Sequence, residues 1–223
     1  MKYLTKEWYN TMQNTSHHLF LKEDIRASQY SEEYFQVLYK KEENKWNSNE
    51  YKVIEFKDFF SDNMDMLKNN LPKSILNEVC DIRVLALNYA TKEVIDKIKK
   101  FCKKNENIVQ KAFDDYNKDF ERQFRNCKPK FINEWGFHDC NIITFKKIDK
   151  DYHMNLDNTG SFTEINNVIF KNAKIIKQES DLNGTWWLYD EIYKTDDKYE
   201  IHVLLWKEDL IDFIIQCSDV VLK

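Results

Sequence analysis

Asn141-Ile142-Ile143-Thr144-Phe145-Lys146-Lys147-Ile148, then Asp149-Lys150-Asp151, then Tyr152-His153-Met154-Asn155-Leu156: two short segments face each other across three polar residues. In the second, Tyr152, Met154 and Leu156 alternate with His153 and Asn155, a two-residue period that puts successive side chains on opposite faces of a strand. Asp-Lys-Asp is turn chemistry, and so short a connection makes its flanking strands antiparallel neighbours.

Downstream the pattern repeats. Residues 168–178, 185–193, 199–206 and 210–221 read as further strands, separated by polar turns over 157–160, 181–184 and 195–198. These give a six-strand meander. The segment from Trp186 through Leu188 to Tyr193 is apolar on both faces, which predicts a central strand covered by helices on one side.

Upstream of Pro129 the period is 3.6. Thr5 can cap a helix over 5–20 carrying Trp8, Met12 and Leu19. Ser31 precedes Glu32 and Glu33, acids favoured in a first turn, and then the stripe Tyr34, Phe35, Leu38 and Tyr39, a helix ending near Asn47. Residues 56–67 repeat the stripe, and Pro72 opens another helix over 73–80. The apolar segment 81–90 is read as a helix with Asn88 as its left-handed cap. From Thr91 a long helix presents Val94, Ile95, Ile98, Phe101 and Cys102; Asn105 interrupts it, and a second stripe from Ile108 to Phe124 predicts a helical hairpin. The expected fold is therefore α+β: a helical region over 1–130 packed on a strongly twisted or barrel-like six-strand antiparallel meander sheet over 131–223.

Composition excludes several function classes. Three glycines, Gly136, Gly160 and Gly184, cannot build a phosphate-cradling loop. Five dispersed cysteines (Cys80, Cys102, Cys127, Cys140 and Cys217) with no CxxC pair read as reduced core thiols, so neither a zinc module nor a disulfide framework is expected. No apolar run approaches a membrane span, and the first ten residues lack the apolar core of a signal peptide, which predicts a cytoplasmic chain. The net charge of -4 hides a division: 12 basic against 7 acidic residues over 91–130, but 7 against 14 over 151–223. Such a split either pairs two halves of the molecule or steers a partner. Overall acidity and the scarcity of arginine near the lysines (Arg122 and Arg125) weigh against nucleic-acid binding.

Several segments resemble the uncharacterised Firmicutes domain-of-unknown-function family 4085. They are residues 1–9 (Met-Lys-Tyr-Leu-Thr-Lys-Glu-Trp-Tyr), 81–87 (Asp-Ile-Arg-Val-Leu-Ala-Leu), 137–140 (Phe-His-Asp-Cys), 186–193 (Trp-Trp-Leu-Tyr-Asp-Glu-Ile-Tyr) and 200–205 (Glu-Ile-His-Val-Leu-Leu). Together they span nearly the whole chain, with Asn88 where relatives are expected to carry Gly. The resemblance implies no activity, cofactor or site residue.

His138, Asp139 and Cys140 mark the one junction where a nucleophile pair or a metal site would look first. On extended backbone His138 and Cys140 share a face and Asp139 points away, so the structural expectation is Asp139 in a turn or paired with Arg83, and Cys140 in the core. Adjacent His17 and His18 read as the end of the first helix. Trp186, Trp187, Tyr189, Tyr193, Tyr199 and Trp206 concentrate aromatic surface, for core packing or for stacking a ligand. Asp190 and Glu191 face Glu200 and His202 across a hairpin and would supply acid–base pairs if a cleft lay between them. The leading expectation is a non-enzymatic protein-interaction module, for instance an immunity or antitoxin-like partner of a basic toxin. The competing one is a small-molecule binder or hydrolase with a pocket at the helix–sheet junction, lined by Trp187, Tyr189 and His138.

Overall fold

The computed structural model describes residues 1–49, 54–126 and 128–223, so Cys127 lies outside the described residues. The chain divides into two units, one made of Met1–Asn10 with Ile108–Lys223 and the other of Thr11–Asn107. Helix α1 (Lys6–Gln13) starts as its sequence dictates, with Thr5 Oγ1 accepting the Trp8 N–H at 3.2 Å, and stops well short of Phe20.

In the second unit, strand β1 (Lys22–Glu23) pairs in parallel with β2 (Tyr89–Ala90). Between them run α2 (Glu32–Asn47), α3 (Phe56–Asn70), α4 (Lys73–Leu76) and α5 (Ile82–Ala86). Ser31 and Asp81 cap α2 and α5 through their side chains, and Asn88 takes the left-handed conformation, φ 68, that turns the chain from α5 into β2. Leu67, Leu71, Leu85, Ile98 and Cys102 form one core here, and Tyr34, Phe35, Leu38, Phe56 and Val84 a second.

The expected helical hairpin is one helix, α6 (Lys92–Phe124), which crosses from one unit into the other. Asn105 does not break it: no proline or glycine is there to do so, and its buried Nδ2 donates to the Asn14 carbonyl at 3.0 Å.

A 3-10 turn (Lys130–Glu134) leads into the large antiparallel sheet. Its strands are β3 (Asn141–Ile148), β4 (Asp151–Asp157), β5 (Asn167–Lys171), β6 (Lys174–Gln178), β7 (Trp186–Thr195), β8 (Lys198–Trp206), β9 (Leu210–Cys217) and β10 (Asp219–Leu222). Eight strands replace the six expected because two bend. The segment over 168–178 breaks at Asn172, φ 44, and that over 210–221 breaks at Ser218. Each bend sends the chain to the other end of the ladder, whose order is β10-β5-β4-β3-β7-β8-β9-β6. One or two linking residues cannot span a flat sheet of that width, so the sheet coils until its ends approach. Barrel-like closure is nevertheless not reached: β10 and β6 end the order, with no ladder between them among the described residues. Strand β7 is central, as its two-sided apolar sequence requires. Under it Trp187, Phe137, Phe170, Phe213 and Ile201 are fully buried, each such side chain contributing about 1.5–3 kcal/mol.

Candidate functional site

The residues singled out in sequence gather around β7, where a β-bulge decides their roles. Trp187 pairs with Leu205 and Tyr189 with Leu204, leaving Leu188 as the extra residue. Its carbonyl accepts the Nδ1–H of His138, whose ring packs on Tyr189 at 5.0 Å. Asp139 takes φ 65, donates its N–H to the Trp187 carbonyl at 2.9 Å and holds its carboxylate 3.6 Å from His138 Nε2. Cys140 points the other way, into the core, where burial pushes its thiol up and so away from the reactive thiolate. His138 and Asp139 are thus surface groups that close a bulge, and Cys140 is a core residue. The three do not converge on a reacting centre.

Arg83 pairs with neighbours in its own unit rather than with Asp139. It donates twice to Asp81, from Nε and Nη2 at 3.0 and 2.7 Å, and once to Glu32 at 2.9 Å, and it lies over the Phe35 ring at 4.2 Å. Tyr189 meets Trp8 edge to face at 4.8 Å.

Glu191 and His202 are register partners on β7 and β8, as expected, but they engage different groups. Glu191 is completely buried and accepts the backbone N–H groups of Lys2, Tyr3 and Leu4 at 2.8, 2.7 and 2.5 Å, together with the Tyr193 hydroxyl at 2.6 Å. Four donors fill its lone pairs, so it anchors the first residues of the chain. His202 donates instead from Nε2 to Glu200 at 2.6 Å and packs on the Tyr193 ring.

Two features were not assembled from sequence. Asp190, next to Glu191, opens on a recess of about 190 Å3 between α6 and β7, lined by Tyr116, Asn117, Phe120, Ile132, Trp135 and Ile192. Its Oδ1 accepts Trp135 Nε1–H and its Oδ2 accepts Trp187 Nε1–H, both at 2.9 Å. Burial pushes this carboxyl up, against the two indole N–H groups that hold it down. Trp135 comes from an irregular segment 55 residues away, where no periodicity marks it.

The second feature is a row across the solvent face of the sheet. Asn141 pairs with Trp186, Trp186 with Trp206, and Trp206 with Leu210, so one line crosses β3, β7, β8 and β9. Partners in register share a face. Trp186 and Trp206 are 40% and 45% exposed, whereas the next pair inward, Trp187 and Leu205, is fully buried. Exposed acids Asp181, Glu208 and Asp209 flank the row, in two loops tied together by Lys207 Nζ donating to the Asn183 carbonyl at 3.2 Å.

Four basic residues of α6 are held in ion pairs: Lys103 with Glu106, Lys118 with Asp115 and Arg122 with Asp119 within the helix, and Lys97 with Glu78 outside it. Among the described residues no cluster of three or more His, Cys, Asp or Glu is placed to hold a metal ion, and no helix is long and apolar enough to cross a membrane. The family model described as "Protein of unknown function (DUF4085)" matches residues 3–215. No curated protein and no solved structure matches the chain.

Proposed function

We propose, for a chain that belongs to the DUF4085 family and inherits no activity from it, that this is a cytosolic bacterial protein-interaction module that binds a basic partner through the tryptophan row of its sheet. The observation that carries the reading is the line Asn141, Trp186, Trp206 and Leu210. Two indoles on neighbouring strands of a solvent face cost free energy to leave in water, and neither indole makes a ring contact or a side-chain hydrogen bond among the described residues. Tryptophan and arginine dominate binding hot spots, and an indole beside carboxylates suits a guanidinium or ammonium group. The excess of acids over 151–223 adds long-range attraction for a basic surface. An immunity or antitoxin-like role, neutralising a basic toxin, is the concrete form this interaction takes.

The test compares capture from lysate of the native host by the wild type and by the Trp186→Ala/Trp206→Ala double variant, at low and high salt. A basic protein retained by the wild type, released by salt and lost with the double variant is the expected result. The reading falls if no basic protein is retained, or if the double variant retains it equally well.

A further inference from the structure

The geometry points to a second site in the same unit, unrelated to the tryptophan row: the recess around Asp190 binds a small organic ammonium ion. The recess holds one carboxylate, an aromatic and aliphatic wall of Tyr116, Phe120, Trp135, Ile132 and Ile192, one amide from Asn117, and no cationic side chain. Asp190 is half-buried, and a carboxylate withdrawn from water even in part is ordinarily matched by a cation or by a full set of hydrogen bonds. Neither holds here. Each Asp190 oxygen accepts a single indole N–H, which leaves further acceptor capacity on both.

The nearest imidazole, His138, has its Nδ1 committed to the Leu188 carbonyl and its Nε2 turned to Asp139. The missing positive charge is therefore one that a ligand can bring. An anion is repelled by Asp190, and a sugar would find few polar side chains in the lining, Asn117, Asp190 and the Tyr116 hydroxyl, to satisfy its many hydroxyls. An alkylammonium ion suits the lining on both counts, because aromatic rings attract a cation and the wall buries its methyl or methylene groups.

The recess is also held ready. The Tyr116 hydroxyl accepts the Ile192 N–H at 2.9 Å, Phe120 packs on Phe124 at 4.7 Å, and Trp135 packs on Phe137 at 4.8 Å. Binding thus has little side-chain ordering to oppose it.

The experiment titrates the full-length protein with choline and, separately, with its uncharged carbon analogue dimethylbutanol, while following the indole N–H resonances of Trp135 and Trp187 by NMR. Choline is expected to shift both resonances saturably and the alcohol to leave them in place. Asp190→Asn is expected to weaken choline binding by roughly tenfold or more. If that variant does not fold, Phe120→Ala takes its place, since it thins the wall and leaves both indole–carboxylate bonds intact; weaker choline binding is again expected. No saturable shift in the wild type, an equal response to the alcohol, or unchanged affinity in the variant overturns the assignment.

Discussion

Asn172 and Ser218 stand at the bends of two different strand pairs and are hydrogen bonded to each other, Asn172 Nδ2 donating to Ser218 Oγ at 3.2 Å. Ser218 in turn donates its N–H to the Lys171 carbonyl at 2.9 Å, so the two places where the chain changes ends of the ladder brace one another. Asn172 also holds a left-handed backbone, φ 44, which a β-branched residue adopts only at a cost. Asn172→Val is expected to destabilise by about 2–3 kcal/mol, from backbone strain plus a lost hydrogen bond, and Asn172→Gly by about 1 kcal/mol. Urea denaturation of the two variants separates strain from hydrogen bonding, because only valine adds strain.

Asn172 also shows where sequence reading stops. The single strand read over 168–178 is extended chain but two strands, β5 and β6, because side-chain alternation carries no mark of a bend at which the chain changes its neighbour. Asn105 misleads in the opposite sense. A polar residue on an apolar stripe resembles a helix end, but a carbonyl from a distant segment satisfies it and the helix continues. Local patterns therefore disclosed most helices and strands, the cap at Thr5 and the left-handed Asn88. Groupings made by tertiary structure, such as Trp135 with Asp190, left no local pattern to find.

Cysteine reactivity distinguishes core thiols from a nucleophile. Burial pushes the Cys217 thiol up to about 12 and raises that of Cys140, while Cys80 is exposed. Alkylation of the native protein at pH 8, followed by peptide mapping, is expected to label Cys80 and to spare Cys140 and Cys217 until denaturant is added. Rapid native labelling of Cys140 would contradict its placement in the core.

Acid sensitivity should trace in part to Glu179. Burial alone would raise its carboxyl, but the Asp212 N–H, Lys6 and Lys177 outweigh that and lower it from 4.5 to about 2. A carboxylate depressed by folding adds stability above its unfolded value, and that contribution is lost as pH falls from about 4.5 through about 2. Partial solvent exposure of the pairs keeps the contribution modest. Glu179→Gln is expected to be slightly less stable than wild type at pH 7, with the difference vanishing toward pH 2. Denaturation midpoints measured across that range test the sign; a gap that widens in acid refutes it.

Glu191 commits both oxygens of a fully buried carboxylate to four donors, and its removal should be correspondingly costly. Glu191→Ala leaves three backbone N–H groups without their acceptor and the Tyr193 hydroxyl without its partner, for an expected loss of about 3 kcal/mol or more. Removing residues 1–4 strands the same carboxylate from the other side and also withdraws Leu4, only 1% exposed, from its packing. Both changes delete one interaction, so their effects should not add. A double-mutant cycle by chemical denaturation is expected to show the combined variant more stable than the sum of the separate losses by at least about 1 kcal/mol. Simple additivity would mean that the first residues and Glu191 stabilise the sheet independently, and that the four hydrogen bonds contribute little to holding them together.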